Sequence, residues 1–214
     1  MKVFVILDRS GSMSSRWDEV KSTVTGWLTS LAPKTKVWGL AFGDEQAWFA
    51  ERTKASKVSL GSTEPGGLTA LYDAIGTMSL TVESAVAVGK KAQILILTDG
   101  AENASQIVTR ETAAEIIGSW KAKGFDVVYL GADFDRFGEA HKLGISAGHT
   151  MTYDGAAAMS VAETLSQRSR IYSVTGSKPE FSADDREKAI LGDPDTAKRL
   201  RIFNPLPGAH PHDA

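Results

Sequence analysis

Apolar runs and helical periods alternate along the chain in a regular way. Residues 2–7 (KVFVIL) are almost continuously apolar, the pattern of a strand buried on both faces of a parallel sheet. Trp17, Val20, Val24, Trp27, Leu28 and Leu31 then recur at steps of three and four, one face of a helix that closes before Pro33. Residues 36–42 and 46–52 read as two strands of a hairpin around Gly43-Asp44. After Val58-Ser59-Leu60 comes a loop rich in Gly, Ser and Pro, and then a helix marked by Leu71, Ile75, Met78, Val82 and Val86. Residues 92–98 (AQILILT) are the most apolar strand. Thr109 can cap the next helix, which carries Ala113, Ile116, Ile117 and Trp120 and ends at Gly124. A strand over 126–132, a short helix through Phe137, Ala140 and Leu143, a strand over 149–153 and a helix through Ala158, Val161, Leu165 and Tyr172 complete the series.

Strands alternating with helices predict an α/β fold: a doubly wound, mostly parallel sheet with helices on both faces and one antiparallel strand at an edge. From about residue 174 the pattern fades. Residues 174–214 hold five prolines and a sparse apolar set, with short helices predicted at 183–191 and 195–201. The expected organisation is one domain over 1–173 and a polar C-terminal tail over 174–214 that packs on the domain or on a partner.

Composition narrows the class without naming a function. The 42% hydrophobic and 23% charged residues suit a protein with a full core. A net charge of −2 argues against a nucleic-acid binder, which needs clustered Lys and Arg. No apolar run nears the roughly 18–20 residues that span a bilayer, and the N-terminus lacks a signal-peptide pattern. Zero Cys leaves no disulfide, thiolate ligand or Cys nucleophile, and a cytoplasmic location is expected.

Three loops leave the ends of strands with oxygen-bearing residues, where open parallel sheets bind ligands. They are Asp8-Arg9-Ser10-Gly11-Ser12, Gly66-Gly67-Leu68-Thr69 and Thr98-Asp99-Gly100. Residues two apart in an extended segment point the same way, so Asp8, Ser10 and Ser12 can converge. Carboxylate and hydroxyl oxygens are hard ligands that suit Mg²⁺, Ca²⁺ or Mn²⁺. By chance D-x-S-x-S arises in roughly 5% of chains of this length; its place directly after the first buried strand is what gives it weight.

Together with Gly67-Leu68-Thr69-Ala70-Leu71-Tyr72-Asp73-Ala74-Ile75 and Leu97-Thr98-Asp99-Gly100, the first loop resembles a von Willebrand factor A domain over residues 1 to about 172. The resemblance implies a Rossmann-like sheet of about six strands and a metal-ion-dependent adhesion site. Its ligands would be Asp8, Ser10 and Ser12 directly, with Thr69 and Asp99 direct or through water. It also implies a Mg²⁺-dependent contact with an Asp or Glu of a partner protein. The stretch Thr98–Ser105, with Gly131-Ala132, further resembles short stand-alone bacterial and phage versions.

Other features carry less. Asp73 is expected to favour a helix N-terminus, and Glu102 and Asn103 to be surface loop residues that could restrain Asp99 or meet a ligand. Arg9 is expected to point away from its neighbours, and Trp48 to be the tryptophan open to a contact. His141 and His149 read as structural, and His210-Pro211-His212-Asp213 as a disordered end. Three functions differ in class: a non-catalytic protein-binding module; a metal-dependent hydrolase or phosphoryl-transfer enzyme, which usually shows two Asp in its first loop where this chain has Ser10; and a structural or assembly protein whose tail self-associates. The sequence leaves the oligomeric state open.

Overall fold

A computed structural model describes residues 1–61, 63–99, 102–131, 137–152 and 157–191. Its sheet has six strands: β1 (Lys2–Asp8), β2 (Lys36–Phe42), β3 (Gln46–Lys54), β4 (Ala92–Thr98), β5 (Asp126–Gly131) and β6 (Thr150–Thr152). Their order is β3-β2-β1-β4-β5-β6, parallel except for the β2–β3 hairpin at one edge. The doubly wound architecture expected from the alternation is therefore the one observed. The helices are α1 (Trp17–Ser30), α2 (Leu71–Ala85), α3 (Arg110–Ala122), α4 (Phe137–Lys142), α5 (Ala158–Thr175) and α6 (Ala183–Leu191).

Alternation along β1 divides the core. Val3, Val5 and Leu7 face one layer with Trp17, Val24 and Trp27 of α1 and Val161 and Leu165 of α5. Phe4 and Ile6 face the other with Ile75 and Met78 of α2 and Ile117 and Trp120 of α3. Both layers are dry, so β1 and β4 lack the polar alternation of a half-exposed strand. Thr109 caps α3, its side chain accepting the Thr112 amide.

Several elements differ in detail from expectation. The hairpin turns over three residues, because Phe42 pairs with Gln46. Trp48 keeps partial exposure, unlike the buried Trp17, Trp27 and Trp120, but shares it with Trp38, which stacks on Phe4 at 5.1 Å between centroids; both pack partly against the core. Helix α5 runs on to Thr175, and the chain beyond it folds back. Phe181 and Ala189 are buried in the α1/α5 layer, Phe181 donates its amide to the Gly148 carbonyl, and Arg186 bonds the carbonyls of Ala147 and Thr150. The predicted helix at 195–201, Ala132, Tyr153 and the His210–Asp213 end lie outside the described residues. Among the described residues no helix is long and apolar enough to cross a membrane.

Candidate metal centre

Strand order reverses at β1, where the chain crosses from one half of the sheet to the other. Asp8 is the last residue of β1, and Asp99 follows β4 immediately beside it. Crevices at such reversals are where α/β sheets take ligands. The expected convergence of Asp8, Ser10 and Ser12 occurs, but by a different route. The backbone is extended only through Ser10, and Gly11–Arg16 winds into a 3-10 helix. That tight turn, rather than strand alternation, brings the hydroxyls of Ser10 and Ser12 to 3.1 Å.

Polar bonds connect the first and third loops. Asp8 is fully buried, and its carboxylate accepts the Ser10 amide at 2.7 Å and the Thr98 hydroxyl at 2.5 Å. The Ser12 hydroxyl donates to Asp99 Oδ1 at 2.6 Å, while Asp99 Oδ2 lies 3.7 Å from Arg16 Nε. Burial pushes the Asp8 carboxyl above its ordinary value of 3.8; the bonds from Thr98 and Ser10 oppose this, and the like charge of Asp99 adds to it. A carboxylate withdrawn from water and held by a hydroxyl and an amide favours a cation nearby.

The second loop is tied to both others by main chain. Gly66 donates to the Arg9 carbonyl at 2.7 Å and Gly11 to the Gly67 carbonyl at 2.9 Å. Gly67 has φ +81°, and a Cβ there would stand 2.3 Å from the Asp44 carboxylate, which accepts the Leu68 amide. Only glycine meets both conditions. Thr69, 3% exposed, is gripped from two sides by Asn103: its amide donates to Asn103 Oδ1 at 2.9 Å, and its carbonyl accepts the Asn103 amide at 3.0 Å.

Glu102 and Asn103 lie in a loop, and Asn103 is exposed, as expected of surface loop residues, but both also hold the chain around the site. Glu102 accepts the Tyr72 amide at the start of α2, together with the amides of Ala104 and Ser105. Asp73 is more than a helix-end charge, because its carboxylate accepts the amides of Gln106, Ile107 and Val108. The only sequence signal for these roles was their place beside the third loop and the α2 N-terminus. Arg9 does point away, its guanidinium bonding the carbonyls of Glu45 and Glu64. Gly100 and Ala101 lie outside the described residues.

No family model matches the chain, and no curated relative does. Solved structures do match. A von Willebrand factor type A protein from Catenulispora acidiphila superposes with TM-score 0.64 at 16% identity over 78% of this chain, which spans only 42% of that one. The von Willebrand factor domain of the type V pili tip protein Mfa5 from Porphyromonas gingivalis gives 0.65 at 12% identity over 79% of this chain and 95% of its own. The fold is that of a von Willebrand factor A domain. A manganese-loaded TRAP protein from Plasmodium vivax shares it, with TM-score 0.59 and 16% identity, over 77% of this chain and 72% of that one.

The residues fit a hard divalent cation. In this von Willebrand factor A fold the clustered donors are carboxylate and hydroxyl oxygens, and among the described residues no three His, Asp or Glu side chains gather into a more highly charged site. Asp8, Ser10, Ser12 and Asp99 are joined by direct bonds through Ser10 and Ser12. Thr69 sits on the loop pinned against them.

Proposed function

We propose that this chain is a non-catalytic, divalent-cation-dependent protein-binding module. The ion is Mg²⁺, with Ca²⁺ or Mn²⁺ as substitutes, and it accepts an Asp or Glu side chain from a partner protein. Asp8, Ser10 and Ser12 would hold it directly, and Thr69 and Asp99 directly or through water. The bound ion supplies a Lewis-acidic point for the partner's carboxylate. This chain's own residues set that point: β1 and β4 bring the carboxylates together, and the loops tied by Gly11, Gly66 and Asn103 keep the hydroxyls in place.

One observation carries the reading: the fully buried Asp8 carboxylate is linked through Ser10 and Ser12 to a second buried carboxylate, Asp99. The manganese-loaded relative of the same fold supports it. A non-catalytic role is favoured because the neighbouring acids, Glu102 and Asp73, bind backbone amides and are not placed as a general base. Likeness to short stand-alone bacterial and phage versions, and a cytoplasmic setting inferred from the Cys-free sequence, belong to the same proposal.

Affinity capture from lysate in Mg²⁺ tests it, with EDTA and Asp8→Ala as controls, beside the Mg²⁺-induced rise in Tm of the protein alone. Capture and Tm rise should both vanish in the controls; capture that survives EDTA and Asp8→Ala would sink the proposal.

A further inference from the structure

Charge is spread unevenly over the two ends of the sheet. Beyond the C-terminal ends of the parallel strands the loops hold Asp8, Asp44, Asp73, Asp99 and Glu102. The opposite end is lined with lysines. Lys2, Lys36 and Lys54 share one row across β1, β2 and β3, Lys90 and Lys91 lead into β4, and Lys123 caps α3. Lys91 donates to the Ser173 and Val174 carbonyls at 2.9 and 3.2 Å, so the turn before β4 adjoins the last turn of α5. Two valines stand out there. Val88 is fully exposed at the tip of a tight turn closed by the Lys90 amide on the Ala87 carbonyl, and Val174 is largely exposed. Val88 shares a groove with Lys123, which lies 3.8 Å from Glu83. Towards β6 the charge is mixed, with Glu180 on Gly148 and Asp185 bonded to Ser182, so the basic face centres on the start of β4.

We propose that this end of the sheet docks on an anionic lipid bilayer, its lysines against the headgroups and Val88 and Val174 in the interfacial layer beneath them. Solubility accounts for the lysines, but not for two exposed valines on adjoining turns among them. A bilayer surface uses both: anionic headgroups attract juxtaposed lysines, and hydrocarbon gains by leaving water for the acyl boundary. The phosphates of a nucleic acid would satisfy the lysines and offer the valines nothing comparable. The chain as a whole carries −2, so attraction to an anionic surface depends on orientation. Docked by its lysine end, the molecule holds its acidic loops away from the membrane. Those loops carry the candidate metal centre, so docking is independent of the metal-dependent reading and leaves that centre facing outward.

Vesicle co-sedimentation of the full chain in EDTA tests this. Vesicles of phosphatidylcholine with about 30% phosphatidylserine are compared with phosphatidylcholine alone, at low and high salt. A DNA duplex serves as a second polyanion, and circular dichroism verifies folding of each variant. Wild type should sediment with the phosphatidylserine vesicles at low salt, stay in solution with phosphatidylcholine, and be released by high salt. Lys90→Gln combined with Lys123→Gln should weaken binding about tenfold. Val88→Ser should weaken it about two- to fivefold. Asp8→Ala, at the other end of the sheet, should sediment as wild type does. Wild type that ignores the phosphatidylserine vesicles, or binds both vesicles equally, overturns the proposal. So does a lysine or Val88 variant that sediments like wild type. A DNA duplex bound as tightly as the vesicles also overturns it and makes the face a nucleic-acid site. Each of these failures leaves the metal reading intact, because EDTA is present throughout.

Discussion

The two ends of the sheet each bury a carboxylate, and they treat it in opposite ways. At the N-terminal end of β5, Asp126 is fully buried and met by its own cation. Arg168 donates Nη2 to Oδ1 at 2.6 Å and Nε to Oδ2 at 3.1 Å, and Gln93 adds a bond at 2.8 Å. Ser169 links Gln93 to the Trp27 indole, while Arg168 also bonds the Pro179 carbonyl and lies over the Phe181 ring. At the opposite end Asp8 is equally buried, but its bonds come from a hydroxyl and an amide and its charged influence is another carboxylate. A buried acid matched inside the chain is a fastener. One left with neutral partners and a like charge is a place for something brought from outside.

This contrast can be broken first at the fastened end. Arg168→Met strands Asp126 without its cation and should cost about 3–5 kcal/mol in urea denaturation, with Mn²⁺ affinity unchanged in the folded fraction. A loss below about 1 kcal/mol would show that the pair does not hold the C-terminal segment. Next in size, Asn103→Ala frees Thr69 at the open end. It should lower Mn²⁺ affinity about tenfold with little change in stability, the reverse signature, since outer residues orient ligands. Equal losses of stability from both variants would erase the distinction.

Smaller effects come from pH. The Asp8 carboxyl is raised in the folded state, so the folded protein protonates there before the unfolded one. In EDTA its contribution is unfavourable at neutral pH and is relieved as pH falls through the raised value towards 3.8. Asp8→Asn should therefore stabilise the EDTA-treated protein at pH 7 and remove the Mg²⁺-induced rise in Tm. A destabilised Asp8→Asn protein in EDTA would contradict the charge argument. The smallest effect has the opposite sign. Burial, and then the charge of Arg168, push the His149 imidazole below 6.5. Its contribution is complete above that value and lost as pH falls through 6.5 towards the lower folded value. His149→Gln should flatten this part of a Tm-against-pH curve.

How much of this was legible beforehand varied with the physics behind each feature. The strands and helices were readable because burial imposes a period: KVFVIL and AQILILT cannot face water, and Trp17 to Leu31 repeats at helical steps. The candidate metal ligands stood out because hard oxygen donors cluster next to strand ends, in a pattern matching a known domain. Partners linked through backbone atoms were not legible. Asn103 holding Thr69, Glu102 on the Tyr72 amide and Asp73 on three loop amides join residues some thirty positions apart through groups that every residue carries. Nor did composition show that Phe181 and Ala189 return to the core after a polar stretch.

The sequence by itself determined that Asp8, Ser10 and Ser12 lie just beyond a buried strand, and that the fold is an alternating α/β sheet. Periodicity and local spacing are properties of the chain alone. Only the tertiary structure decided which acid meets a cation. Asp126 and Arg168 are 42 residues apart, and Asp99 meets Arg16 only because β4 lies beside β1. Coulombic partners depend on distance through space, and the order of strands in the sheet sets that distance.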